Sequence, residues 1–162
     1  MTTGEQILSI TPPGRAEDYA LIIGSGVDIA LLLRTRLGYG HVRVCGLSAN
    51  AKGMEADSFD LERDFYPYPS AHFKTILCVD ALDALSHDPM HMLDQIHRIL
   101  RPGCHLVWST QRFTGDQARA LLENCGLEVG HWESGEDGTR AVGRKIGPLR
   151  ERYPEWLYPK SR

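Results

Sequence analysis

Apolar positions along the chain switch between continuous runs and helical spacing, and the switches mark out its elements. Ala20 to Ile23 is a short unbroken apolar run, the pattern of a strand buried on both faces. Gly24-Ser25-Gly26 follows, and then Ile29, Leu32, Leu33 and Leu37 recur at the spacing of one helix face, with Gly38 as a stop. His41 to Leu47 returns to strand. Lys74 to Val79 is again too short and too β-prone for a helix. From Pro89 to Leu100 the period is helical, with Met90, Leu93, Ile96 and Leu100 on one side. Asp88 is placed to cap that helix and Pro89 to occupy its first turn. Pro102-Gly103 reads as the turn that ends it, and His105 to Ser109 as the next strand. Two strand-helix-strand units of this length predict parallel pairing.

Beyond Thr110 the spacing predicts a helix opened by a Thr114/Gln117 capping box, with Leu121 and Leu122 facing inward and Gly126 closing it. Leu127 to Glu133 and Thr139 to Lys145 form a hairpin about the Gly- and Asp-rich stretch from Ser134 to Gly138. Between Leu47 and Asp60 there is room for a turn and a short strand near Met54 to Phe59, but not for a full crossover helix. Residues 1–18 show little periodicity and are expected to form an N-terminal arm. Residues 19–147 are the domain, and residues 148–162 a tail in which Tyr153, Trp156, Leu157 and Tyr158 lie among prolines. Such a cluster is expected to dock on the domain or on a second subunit, which makes a homodimer one of its outcomes.

Composition narrows the partners. The 162 residues suit one domain with a single core. A net charge of −3 provides no electrostatic attraction to nucleic acid or an anionic membrane. No run approaches a membrane span, and MTTGEQ lacks a signal pattern, so the expected location is cytoplasmic. Cys45, Cys78, Cys104 and Cys125 have no C-x-x-C spacing and read as small buried hydrophobes, with no structural metal expected. His87 and His91 are four apart, but Pro89 starts a helix between them, so they read as solvated polar residues.

The stretch from Asp60 to Thr110 carries more than a fold. FYPYPSAHFKTILCVDALDAL followed by DPMHMLDQIHRILRPGCHLVWST resembles the second half of class I S-adenosylmethionine-dependent methyltransferases of the small-molecule, type 11-like kind, almost without gaps. A milder match reaches Lys145. The resemblance implies an α/β fold: a three-layer, Rossmann-like, seven-stranded sheet, mainly parallel, with its last strand antiparallel. The crossover between strands two and three is expected to be shortened. It implies S-adenosylmethionine as cofactor with a small-molecule substrate, and Ser48 and Asp28, which depart from the family pattern, make weak binding the expectation. The cofactor-binding set it implies is Gly24, Ser25, Gly26, Ser48, Asp60, Leu61, Cys78 and Val79. Asp60 falls where the family places an acid near the adenine amino group, with Leu61 beside it.

The chain also departs from the pattern. Lys74 stands for the usual Asp, Ala84 for the usual His, and Cys104 for the second Gly of the turn. Ile22 and Asp28 occupy positions where an acid and a third glycine are usual, and Ser48 stands where an acid accepts the ribose hydroxyls. The catalytic residues are unknown. Asp80, Asp83 and His87 follow the fourth strand, where an acceptor would lose its proton, and each reads equally well as a surface polar residue. Two functions follow: a small-molecule methyltransferase, or a methyltransferase-like binding or scaffold subunit without catalysis and with a protein partner. A nucleotide-dependent oxidoreductase fits less well, for want of the third glycine.

Overall fold

The computed structural model describes residues 3–24, 27–46, 56–81, 89–136 and 138–146. In chain order the elements are α1 (Thr3–Ser9), β1 (Tyr19–Gly24), α2 (Val27–Thr35), β2 (His41–Cys45), β3 (Ala56–Asp57) and β4 (Phe73–Val79). They continue with α3 (Met90–Ile99), β5 (Leu100–Thr110), α4 (Gly115–Asn124), β6 (Leu127–Gly135) and β7 (Gly138–Lys145). The strands form one seven-stranded sheet in the order β3-β2-β1-β4-β5-β7-β6. Pairing is parallel from β3 to β5, and β7 runs antiparallel to both its neighbours. This is the expected α/β sheet with its antiparallel last strand. Only residues 46–55 join β2 to β3, as the short crossover requires.

Each sheet face is covered by its own apolar layer. Leu21, Ile23, Ile76, Cys78, Leu106 and Trp108 point to one side, where Leu93 and Ile96 of α3 and Leu121 and Leu122 of α4 close over them. Ala20, Ile22, Leu77 and Val79 point to the other, against Ile29, Ala30 and Leu33 of α2. Burying each such aliphatic side chain stabilises by about 1.5–3 kcal/mol, which is why unbroken apolar strands demand helices on both sides. Cys45, Cys78 and Cys125 are buried among these residues as free thiols.

The first correction falls on residues 1–18. In place of an arm, Thr3–Ser9 is a helix whose Ile7 is 1% exposed and belongs to the α2-side core. Seven residues are too few for a period to be legible; burial of Ile7 and Leu8 holds them helical. The chain from there to β1 is pinned at the sheet's amino end. Tyr39 shares a 2.6 Å hydrogen bond with Thr75 and donates to the Pro12 carbonyl at 2.8 Å. The buried Asp18 carboxylate takes the Arg15 amide at 2.8 Å, the Lys74 ammonium at 3.1 Å and Arg101 at 3.7 Å.

A second correction concerns Pro102-Gly103. The strand begins directly at Leu100, which pairs with Phe73, and Arg101–Cys104 form a bulge before His105 pairs with Thr75. Gly103 takes a positive φ of 79° there, as a bulge often requires. Pro89 is the N-cap of α3 in place of its first residue, so the helix starts one residue later than expected, and Asp88 lies outside the described residues. The far end of α3 is held from another element: Lys145 Nζ donates to the carbonyls of His97 and Leu100 at 2.7 and 2.9 Å. A cation at a helix carboxyl end is favourable twice over, through the dipole and through its unpaired carbonyls.

The α4 capping box is present as expected. Thr114 Oγ1 accepts from the Gln117 amide at 3.2 Å, and Gln117 Oε1 accepts from the Thr114 amide at 3.1 Å. Thr114→Ala is expected to destabilise the protein by about 1 kcal/mol. Thermal melting should show Tm lower by about 2–4 °C.

Candidate functional site: the carboxyl ends of the parallel strands

In a parallel sheet flanked by helices, ligands bind beyond the carboxyl ends of the strands, where the order of strands reverses. Here that reversal is between β1 and β4, and the chain at this point is bare backbone. Gly24 ends β1 with a φ of +102°, beside Val79 in register. A Cβ there would lie 2.5 Å from the Val79 carbonyl oxygen. Gly46, just after β2, has a φ of +107°, and a Cβ there would lie 2.7 Å from the Gly24 nitrogen. Leu61 closes over the pair, 6% exposed, with its Cδ1 3.6 Å from that same position. Three strand ends thus meet without an intervening side chain, under an apolar residue.

The wall beside Leu61 is the aromatic-proline loop. Tyr66 donates its hydroxyl to the Leu61 carbonyl at 2.9 Å, and its ring lies 4.8 Å from that of Phe59. Arg98 of α3 ties this loop down, donating to the carbonyls of Tyr68 and Tyr66 at 2.9 Å each. Phe65 covers the same guanidinium at 4.0 Å. Gln95, one turn earlier, accepts from the Tyr66 amide at 3.0 Å. Arg98 and Gln95 therefore position Leu61 without touching the crevice.

Of the expected cofactor-binding residues, the structure brings Gly24, Leu61 and Val79 together. Cys78 is adjacent, but its thiol turns into the α3 layer, 3.8 Å from the Met92 sulfur. Asp60 is at hand but engaged: its Oδ1 accepts from the Glu62 amide at 2.9 Å, and its own amide donates to Asp64 at 2.9 Å. The carboxylate closes its own turn. Ser25, Gly26 and Ser48 lie outside the described residues, as do Asp83, Ala84, His87 and the tail.

One polar group at these strand ends, Asp57, escaped the sequence reading, and Asp80 is where that reading expects it. Asp57, the last residue of β3, is clasped by Arg43 through both Nε, at 3.1 Å, and Nη2, and takes the Tyr68 hydroxyl at 2.6 Å. Burial pushes this carboxyl up, but hydrogen bonds from Arg43 and Tyr68 outweigh it and hold it below the usual carboxylate range. Nearby Cys45 is pushed up to about 12 by burial and stays a thiol. Asp80, the residue after β4, has a φ of +52°, which aspartate tolerates better than most. Its amide donates to the Ser109 carbonyl at 3.0 Å, and its Oδ1 accepts from the Ser109 hydroxyl at 3.1 Å. A carboxylate is thus fixed at the rim of the crevice by the end of β5. Pairing between residues this distant in sequence leaves no local signal. Among the described residues, no three His, Cys, Asp or Glu side chains converge as metal ligands.

A parallel sheet with glycines at its switch point and an antiparallel terminal hairpin defines a Rossmann-like α/β domain. The chain belongs to the methyltransferase-domain family, which matches residues 6–160. No curated protein matches it. Among solved structures it is similar to a chain of the complex between the Haloferax volcanii Trm112 methyltransferase activator and a methyltransferase. There the TM-score is 0.77 at 18% identity, covering 92% of this chain and 90% of that one. It is also similar to a SAM-dependent methyltransferase from Aquifex aeolicus, with TM-score 0.71 at 16% identity, covering 89% and 90% of the two chains. A geranyl diphosphate methyltransferase in complex with SAM gives 0.68 at 12% identity, covering 88% and 84%. These likenesses establish the fold. No described helix is long and apolar enough to cross a membrane.

Proposed function

We propose that this chain binds S-adenosylmethionine weakly at the carboxyl ends of β1, β2 and β4 and methylates a small molecule. The observation that carries this reading is the meeting of Gly24, Gly46 and Val79 backbone beneath buried Leu61. A crevice with a backbone rim and an apolar wall fits a nucleoside, whose base needs a flat apolar contact and whose polar edge needs main-chain partners. Leu61 would hold the base, Gly24 would leave room for the chain carrying the sulfonium, and Ser48 would meet the ribose. The cofactor, when bound, supplies an electrophilic methyl group. Most of the remaining work is proximity and orientation, for which the chain offers the Asp80 carboxylate at the rim, fixed by Ser109. From there it can orient an acceptor's N–H or O–H and take up its proton.

Polar anchoring of the cofactor is reduced. Ser48 is neutral where the family has an acid, and Asp57 and Asp60 are engaged within the protein. Hydrogen bonds to charged groups contribute about 1.5–3 kcal/mol against about 1 for neutral ones. Ser48→Asp is therefore expected to tighten binding about tenfold, read by titration calorimetry with S-adenosylmethionine and its demethylated product. Asp60→Ala should weaken it, by loosening the turn that carries Leu61. Absence of binding at about millimolar ligand, unrestored by Ser48→Asp, would reject the enzyme. The same engaged carboxylates favour a second reading, a binding subunit without catalysis. Its ligand would then be a protein; the similar Haloferax volcanii chain belongs to a complex of a methyltransferase with the Trm112 activator.

A further inference from the structure

Far from the crevice, at the amino end of β5, the α1 side of the sheet carries a groove of about 400 Å³. Its floor is Val142 and Gly130, its margin is Ile10 at the end of α1, and His105, Glu128 and Arg144 rim it. Val107 and Val142 belong to the α2-side core here, and Glu128, Gly130 and His131 of β6 line the groove as exposed residues. On the opposite face, α3 and α4 cover the sheet. Val107 and Val142 are themselves 1% and 9% exposed, so the groove is a shallow apolar floor inside a polar and charged rim, and it suits a segment of the same mixed character.

The chain itself continues at the groove's edge. Arg144 and Glu128 pair in register, and two residues later the Ile146 amide donates to the Gly126 carbonyl at 3.1 Å. Ile146 is 56% exposed and leads into sixteen residues, 147–162, that lie outside the described residues. They hold Tyr153, Trp156, Leu157 and Tyr158, with Arg150, Arg152, Glu151 and Glu155 between and before them. The segment's sequence carries both signs of charge, as does the rim. Nine residues lie between Ile146 and Trp156, and about 3.3 Å per residue is more than enough reach to return across the groove. Pro148, Pro154 and Pro159 lack the donors a strand needs, so the segment suits a face and not the β6 edge.

We propose that residues 147–162 fold back into this groove and seat Trp156 against Val142 and Gly130, completing the α1-side layer of the same chain. The inference is independent of the methyltransferase reading. Gly130 offers a clean probe, because a Cβ there meets nothing within 4 Å and the backbone φ is unstrained. Gly130→Arg therefore fills the groove without disturbing the sheet.

The test uses the full chain with a photoreactive phenylalanine analogue at position 156, irradiated as a mixture of light and isotope-labelled heavy chains. Cross-links within one chain, to peptides bearing Ile10, His131 or Val142, are expected. Cross-links only between light and heavy chains would overturn the proposal in favour of a second copy, and cross-links elsewhere would overturn it outright. Thermal melting gives an independent readout. Trp156→Ala should lower Tm by about 4 °C or more in the natural chain and by much less in Gly130→Arg. Equal shifts in the two backgrounds would also overturn it.

Discussion

Gly46→Val is expected to destabilise the protein by about 3 kcal/mol or more and to abolish whatever binding the crevice supports. A φ of +107° is open to glycine and strongly disfavoured for a β-branched residue. The new Cβ would also lie 2.7 Å from the Gly24 nitrogen and 3.2 Å from its Cα. Those atoms are backbone of a central strand, buried and hydrogen-bonded on both sides, and cannot swing away as a side-chain end would. Something must shift, and the ends of β1 and β2 must part. Urea titration should show a lower midpoint with an unchanged slope. Gly46→Ala should fall between, since it keeps the clash and sheds the branching. A valine variant as stable as the natural protein would show that the two strand ends are not apposed.

That apposition was only half legible in the chain. Ala20–Ile23 followed by glycine announces a buried strand and a tight turn, and Lys74–Val79, Pro89–Leu100 and His105–Ser109 announce a parallel unit, because burial on two faces imposes unbroken apolar runs. Gly46 carries no such mark, since its need for a positive φ comes from β1 and not from its neighbours in sequence. Pro102-Gly103 was legible as an interruption but not as its kind. A turn and a bulge both want a residue without a donor and one with a positive φ. Residues 3–9 failed for want of length.

The site divides the same way. Asp60 is expected beside the adenine from its place in the chain, and an aspartate there also suits closing its own turn, which is what its carboxylate does in the structure. Arg98 and Arg43 look like ordinary surface cations in a string of residues. Their work, holding the Tyr66–Tyr68 loop and Asp57, depends on partners up to 32 positions away. Arginine's planar fork suits such joints, where two acceptors must be bridged at once.

Lys74→Asp, which would restore the residue usual in the family, is expected to destabilise this protein by about 2–4 kcal/mol. Asp18 explains the sign. Its side chain is 8% exposed and meets Lys74 at 3.1 Å, with Arg101 further off at 3.7 Å. Burial pushes the Asp18 carboxyl up, but the Arg15 amide, Lys74 and Arg101 together outweigh it and hold it below the ordinary value. A depressed carboxyl contributes stability above its unfolded pKa, near 3.8, that is lost as pH falls through the lower folded value. In the natural protein this part of the stability is therefore intact at neutral pH and disappears only in strong acid. The variant sets two carboxylates together, leaves Arg101 as the cation already in contact, and favours protonation of one acid. Its deficit should be greatest at neutral pH and shrink as pH falls toward 4, the reverse of the natural chain's acid loss. The discount from a fully buried pair reflects Lys74, whose side chain is 30% exposed. Asp18→Lys in the Lys74→Asp background reverses the pair and should recover part of the loss, although Arg101 then faces a new cation. Denaturant titrations of the natural chain and both variants at pH 7 and pH 4 distinguish these cases. A Lys74→Asp deficit that does not change with pH would show that Asp18 is held by something other than charge.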